Sequence, residues 1–194
     1  MIVIIDGCGS NIASIQFALA RLNITASLTT DVKTIKQASR IILPGVGNAA
    51  YAMQQLQKLK LVDIIKSLQQ PVLGICLGMQ LLFESSDEGD TSCLGLLTGR
   101  IKKLKTQQSP VPHIGWNQLQ KNNTCDLLNG IDDYSDMYFV HSYCAPINEH
   151  TIATTEYERP FASIAQKDNF YGVQFHPEKS SKMGSLLLQN FMSL

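Results

Sequence analysis

Residues 71–80 read PVLGICLGMQ and set one thiol, Cys76, between Gly74 and Gly78. An apolar, β-rich run, Val72 to Ile75, leads into it, and Met79, Gln80, Leu81, Leu82 and Phe83 after it are competent helix formers. A strand, a turn and a helix with the thiol on the turn is the pattern of a nucleophile elbow, in which the neighbouring positions leave no room for a Cβ. The partial positive charge of a helix N-terminus favours thiolate over thiol, and the Leu77 amide points where an oxyanion would form. A core cysteine within a strand is the ordinary alternative, and this stretch alone leaves both open.

A thiol nucleophile needs a base, and four histidines are available: His113, His141, His150 and His176. His176 ends the strand-like run Phe170 to Phe175 and begins His176-Pro177-Glu178. In an extended segment i and i+2 share a face, so Glu178 aligns with His176, fixes its tautomer and stabilises its charged form. The alternative is a strand-end turn with an exposed ion pair at Lys179. A third stretch, Ile41 to Asn48, puts Pro44-Gly45-Val46-Gly47 at the end of a parallel strand, where open α/β sheets bind ligands and glycine-rich turns offer N–H groups to anions. Without a Walker lysine or a full G-x-G-x-x-G, it is weak as a nucleotide signal.

The elements that must hold these groups follow from periodicity. Ile2 to Asp6, Thr25 to Thr30, Arg40 to Leu43 and Val72 to Ile75 read as strands. They alternate with a helix bearing Ile12, Ile15, Leu19 and Leu22 on one face and another from about Ala49 to Leu68. Asn11 is a plausible N-cap for the first helix. That alternation predicts an α/β fold with a mostly parallel central sheet flanked by helices. From about Thr98 the texture changes to short strand-like runs, RIKKL, HIGWNQL, MYFVHSYCA, TIATTEY, ASIAQ and NFYGVQF, which predict an added antiparallel layer. A helix at about Lys182 to Met192 closes the chain, and Asn122 to Asp133 reads as a long surface loop or short helix.

The 194 residues, 44% hydrophobic with 16 basic and 16 acidic side chains, predict a single domain spanning 1–194. Zero net charge without a basic block argues against nucleic acid or an anionic membrane as partner. MIVIID lacks a basic n-region and reads as a strand, and the longest mostly apolar stretch, Pro71 to Phe83, falls short of the ~20 residues that span a bilayer. Five scattered cysteines, odd in number and without C-x-x-C spacing, favour neither a disulfide framework nor a zinc site. The expectation is a soluble cytoplasmic protein with no metal and no cofactor.

Taken together, the cysteine elbow, the His-Pro-Glu triplet and the PGVG loop resemble the triad class of glutamine amidotransferases. The closer resemblance, across the whole chain, is to the family of glutaminase subunits of imidazole glycerol phosphate synthases in histidine biosynthesis. It is carried by PGVG at 44–47, PVLGICLGMQLLFESSDE at 71–88, HIGWN at 113–117, YFVHSY at 138–143 and YGVQFHPEKSS at 171–181. HIGWN and FVHSY set this family apart from other triad amidotransferases.

The resemblance implies hydrolysis of L-glutamine by a triad of Cys76, His176 and Glu178. The oxyanion would be held by the Leu77 amide and an amide of Gly45, Val46 or Gly47. Gln80 and Glu88 match positions that contact the bound glutamine, Glu88 being suited to its α-ammonium, and the backbone of His141, Ser142 and Tyr143 would close the pocket. The implied partner is a (βα)8-barrel cyclase that receives the ammonia in a heterodimer, with Asn11, Trp116, Tyr138 and Lys179 at or near the interface. One segment departs from the family pattern: Asp6-Gly7-Cys8-Gly9-Ser10-Asn11 stands where many members read Asp-Tyr-Gly-x-Gly-Asn. Two other readings remain: a paralogous amidotransferase subunit feeding a different synthase, and a non-catalytic module on the same fold, although decayed members usually lose the nucleophile or the base.

Overall fold

The computed structural model describes residues 1–7 and 12–194. Its first half alternates β1 (Ile2–Ile5), α1 (Ile12–Arg21), β2 (Ala26–Thr29), α2 (Val32–Gln37), β3 (Arg40–Leu43), α3 (Ala49–Lys58), α4 (Val62–Lys66), β4 (Val72–Ile75) and α5 (Leu77–Leu82). Shorter strands follow: β5 (Phe83–Ser86), β6 (Thr91–Ser92), β7 (Leu97–Lys103), β8 (His113–Gln118), β9 (Gln120–Lys121), β10 (Asp136–His141) and β11 (Tyr143–Cys144). Then come β12 (Thr151–Tyr157), β13 (Arg159–Lys167), β14 (Phe170–Val173) and the closing helix α6 (Ser181–Ser193).

The principal sheet runs β2-β1-β3-β4-β14-β13-β12-β9. Its first five strands pair in parallel, and β13, β12 and β9 extend the same sheet antiparallel. Further antiparallel pairing occurs in a β8–β10 ribbon and in a small mixed sheet of β11, β7, β5 and β6. The inner parallel strands β1, β3, β4 and β14 are mostly apolar because both faces are covered, whereas the edge strand β2, Ala-Ser-Leu-Thr, has no fully buried residue. Val3, Ile5, Ile41, Leu43 and Val72 enter one core with Met53 and Leu56 of α3, whereas Ile4, Ile42, Leu73 and Ile75 enter the other with Leu19 of α1 and Leu187 and Phe191 of α6. Alternate residues of one strand thus feed two cores.

Where the expected boundaries shift, local chemistry explains it. The single helix expected over Ala49 to Leu68 is two. Lys60 adopts φ +57°, its N–H donates to the Gln57 carbonyl at 2.9 Å and that of Leu61 to the Leu56 carbonyl at 2.9 Å, a Schellman stop on a non-glycine residue. The first helix ends in the same way at Asn23, φ +59°. The short α2, which apolar periodicity did not announce, is started by Asp31, whose side chain accepts from the Thr34 N–H at 2.8 Å. Phe83, grouped with the helix after the elbow, instead opens β5. Within Asn122 to Asp133 the ordered turn is a 3-10 helix, Asp126–Leu128. The N-cap expected of Asn11 and the unusual segment Cys8 to Asn11 lie outside the described residues. Among the described residues, no helix is long and apolar enough to cross a membrane.

Candidate active site

Three adjacent parallel strands, β3, β4 and β14, end at one sheet edge and deliver the three sequence features side by side. The middle strand carries the nucleophile candidate. Cys76 has φ +54° and ψ −109°, a backbone conformation that costs a non-glycine residue energy and persists only where its surroundings hold it. Its N–H donates to the Val173 carbonyl of β14 at 2.8 Å, and its carbonyl accepts from the Gln80 N–H at 3.2 Å, so the turn is fastened at both sides.

The flanking glycines are required by space. A Cβ on Gly74 would lie 2.7 Å from the Gly78 backbone, and one on Gly78 would overlap the Leu43 carbonyl oxygen at the end of β3. Gly45 in turn rides on the elbow, where a Cβ would come 2.8 Å from the Gly78 nitrogen. The PGVG loop and the elbow can touch only because these positions lack side chains. Leu77 begins α5, so its N–H belongs to the first turn, which has no acceptor within the helix.

β14 runs on through Gln174 and Phe175 to His176, whose Nδ1 lies 2.8 Å from Glu178 Oε1, both side chains being buried. The expected pairing holds, but not through an extended segment. Pro177 starts a 3-10 turn, Pro177–Lys179, with the fixed φ of proline suited to its first position. Gly184 of α6 allows this turn to sit against the helix, since a Cβ there would overlap the Pro177 carbonyl oxygen. Ser180 completes the clasp: its hydroxyl donates to the His176 carbonyl at 2.7 Å and accepts the Tyr138 N–H at 2.9 Å, while the His176 N–H donates to the Tyr138 carbonyl at 2.9 Å. Burial on its own would lower the His176 pKa. Hydrogen bonds and charge attraction from Cys76 and Glu178 outweigh it and push the value up to about 10.

A cavity of about 440 Å³ opens at this edge, lined by Val46 and Gly47, by Cys76, Leu77 and Gln80, and by Glu88, Val140, His141, Ser142, Tyr143, His176, Lys179 and Pro112. Glu178 stands behind His176, and Gly45 lies beneath the loop against the elbow. Glu88 Oε2 accepts the Ala49 N–H at 2.7 Å, tying the residue expected to meet an ammonium group to the first amide of α3, just past the PGVG loop. Gln80 donates from Nε2 to the Tyr143 carbonyl at 2.8 Å and to Gln174 Oε1 at 3.0 Å, so its N–H groups are engaged within the protein. The Cys76 thiol donates to the Val140 carbonyl, with sulfur 3.7 Å from oxygen.

Sequence reasoning passed over two buried features here. His141 Nδ1 lies 2.9 Å from the Tyr143 carbonyl, which can only accept, so that nitrogen carries the proton and Nε2 accepts from His113 Nδ1 at 3.0 Å. Asn117 Nδ2 approaches His113 Nε2 at 3.4 Å. Burial lowers both rings, to about 4 at His113 and about 3 at His141, so both are neutral near pH 7. The second feature is Gln174, fully buried, with Nε2 3.8 Å from Cys76 Sγ. Period-two alternation along β14 places it on the α5 face, a signal that was available in QFHPE.

Of the expected interface residues, Trp116, Tyr138 and Lys179 gather on one surface, and Asn11 lies outside the described residues. Trp116 and Tyr138 are paired across the β8–β10 ribbon with ring centroids 5.7 Å apart, and Lys179 Nζ sits 6.0 Å from the Tyr138 ring. Trp116 is 54% and its face-mate Ile114 60% exposed. Away from this site, burial pushes the thiols of Cys93 and Cys144 up to about 11 and raises that of Cys125.

A strained cysteine elbow beside a histidine–carboxylate pair, at the C-terminal edge of a parallel sheet, is an arrangement that suits a cysteine nucleophile on an α/β fold. A family model described as glutamine amidotransferase class-I matches residues 3–193. The chain is 47% identical over 195 residues to imidazole glycerol phosphate synthase subunit HisH 2 of Legionella pneumophila (strain Paris), covering 100% of this chain and 98% of that one. It is 47% identical over 191 residues to subunit HisH of Haemophilus influenzae (strain KW20 / Rd), covering 98% and 96%. Among solved structures, that of PurLQS from Thermotoga maritima superposes with a TM-score of 0.77 at 18% identity, covering 99% of this chain and 97% of that one, a likeness of fold. The chain belongs to the class I glutamine amidotransferases.

Proposed function

We propose that this chain is the glutaminase subunit of an imidazole glycerol phosphate synthase, hydrolysing L-glutamine to glutamate and passing the ammonia to a synthase partner in histidine biosynthesis. The observation that carries the reading is the juxtaposition of Cys76 on its strained turn with the His176–Glu178 pair at the mouth of one cavity. Full-length identity to HisH subunits supports the pathway.

In this mechanism the Cys76 thiolate attacks the side-chain carboxamide carbon of glutamine, forming the S–C bond and an oxyanion. The Leu77 amide and an amide of Gly45, Val46 or Gly47 hold that oxyanion. Charged His176, oriented by Glu178, gives its proton to the departing nitrogen, and the C–N bond breaks to release ammonia. Water then attacks the γ-glutamyl thioester, His176 takes its proton, and the S–C bond breaks to free glutamate and regenerate the thiolate. Gln80, Glu88 and the His141-Ser142-Tyr143 backbone bound the substrate pocket.

Ammonia is useful only if an acceptor takes it before it escapes. The partner in this reading is a (βα)8-barrel cyclase, and the surface of exposed Ile114, Trp116 and Lys179 with half-buried Tyr138 is its docking face, which Asn11, outside the described residues, is expected to join. The pair works in the cytoplasm, where reduced thiols such as Cys93, Cys125 and Cys144 persist. Cys76→Ala tests the assignment. Paired with the cyclase, it should lose glutamine-dependent synthesis while synthesis from added ammonium continues. Retained glutamine-dependent turnover would sink the reading.

A further inference from the structure

Behind the cavity wall, pocket-lining Gln80 and fully buried Gln174 form a chain of carboxamides with only one consistent orientation. The Tyr143 carbonyl can only accept, and it takes Gln80 Nε2 at 2.8 Å and His141 Nδ1 at 2.9 Å, one donor for each lone pair. That fixes which end of the Gln80 amide is nitrogen. The same nitrogen lies 3.0 Å from the oxygen of Gln174, so Gln174 must turn its own NH2 the other way, toward Cys76 Sγ at 3.8 Å. A sulfur acceptor is larger than oxygen, and this separation suits it. Gln174 has no exposed surface, its N–H donates to the Ser163 carbonyl at 2.9 Å, and its position follows from the strand register.

A glutamine side chain buried at a sheet edge incurs a desolvation cost that a leucine would avoid. Here one of its two N–H donors is spent on the nucleophilic sulfur. We propose that Gln174 is a catalytic residue of this site: its carboxamide N–H donates to the Cys76 sulfur, favours the thiolate and holds it on the side from which it attacks. Gln80 and the Tyr143 carbonyl are the positioning groups that aim it. His176 meets the sulfur as proton donor and acceptor, whereas Gln174 meets it with a donor that does not titrate, so the sulfur keeps a hydrogen bond after His176 has given its proton away. The proposal rests on the glutaminase reading above for the role of Cys76.

The titratable and charged groups around this pocket are His176 with Glu178 behind it after β14, His141 at the end of β10, Tyr143 at the start of β11, Glu88 after β5, and Lys179. The experiment leaves all of them in place. Gln174→Glu keeps the shape but replaces the donor with an acceptor, and Gln174→Met fills similar space with neither. Iodoacetamide alkylation of Cys76, read by peptide mass spectrometry in the full chain at a series of pH values, reports the thiolate directly and needs no partner. The alkylation midpoint should rise by about one to two pH units in both variants, more in Gln174→Glu. With the cyclase, kcat for glutamine should fall roughly 10- to 100-fold, the range expected for losing a hydrogen bond to a charged group, while KM changes far less.

An unchanged alkylation profile in folded Gln174→Met would overturn the proposal, even if kcat fell, because a merely structural residue does not move the thiol's titration. Cys76→Ala assayed in parallel separates the two claims. If it retains glutamine turnover, the functional reading itself fails. If it is inactive and the Gln174 variants alkylate like the parent, only the role of Gln174 falls.

Discussion

Two sets of buried imidazoles lie within one site and carry opposite charge states. His176 and the pair His113–His141 are all buried, and burial pulls each toward its neutral form. At His176 the Cys76 side chain and Glu178 overcome that pull, and the ring holds its proton up to about pH 10. The other two face each other, the Tyr143 carbonyl and an asparagine, with no anion among those partners, and they fall to about 4 and about 3. Depth alone therefore does not decide which histidine is charged near neutral pH. The formal charge of the partner does.

The linked stability effects have opposite signs. His176 has a folded pKa above its ordinary 6.5, so its contribution is fully present below about pH 6.5 and is lost as pH rises toward 10. His113 and His141 have folded values below 6.5, so the unfolded chain takes up protons first and their neutral packing is penalised as pH falls from 6.5 toward 4 and 3.

The largest effect is expected from breaking the charged side of this contrast. Glu178→Ala removes the carboxylate at 2.8 Å from His176 Nδ1. Glutamine turnover with the cyclase should fall roughly 100- to 10,000-fold, the span of a mispositioned general acid–base. The His176 ring, followed by NMR, should titrate well below its parent value, and the stability loss between pH 6.5 and 10 should flatten. A His176 that still titrated near 10 would assign its charge to Cys76 alone and narrow the contrast to one partner.

A middle-sized effect comes from the neutral side. His113 stacks on Tyr157 with centroids 3.9 Å apart and on Phe139 at 5.1 Å, so His113→Phe keeps an aromatic ring there while removing a titrating group. It also deprives His141 Nε2 of its donor, for which a cost of about 1–3 kcal/mol is expected near pH 7. Chemical denaturation at several pH values should show the variant less stable at neutrality but with a shallower decline between pH 6.5 and 4. A decline as steep as the parent's would mean that His113 does not account for its share of the acid sensitivity.

What the sequence made legible divides along the same line. Cys76, His176 and Glu178 stand in local motifs whose glycines and proline have steric reasons that can be read without coordinates, and the strands Arg40–Leu43, Val72–Ile75 and Thr151–Tyr157 emerge with their observed bounds because apolar and β-branched residues predominate in them. The split between α3 and α4 escaped because Lys60 is a lysine in a conformation usually left to glycine. The extended route assumed from His176 to Glu178 gave way to a 3-10 turn because proline starts such turns readily. The His113–His141 contact joins strands 28 residues apart, and the Gln80–Gln174 contact spans 94. Such polar pairs have no period to announce them, and only the β8–β10 register and the β4–β14 pairing bring them together.

The smallest expected effect is also the sharpest test of why the neutral pair is neutral. Asn117 stands at the outer end of the relay, its Nδ2 3.4 Å from His113 Nε2 but only 2.9 Å from the Glu156 carbonyl. The longer contact is the weaker one. Burial is the cause that lowers His113, so Asn117→Ala should leave both rings titrating far below 6.5, cost no more than about 1 kcal/mol, and change glutamine turnover less than about threefold. If His113 instead returned toward its ordinary value in NMR titration, the asparagine would be holding the tautomer chain in place. The contrast with His176 would then be one of hydrogen-bond direction as well as charge: at His176 a carboxylate accepts from the ring, and at His113 an amide donates to it.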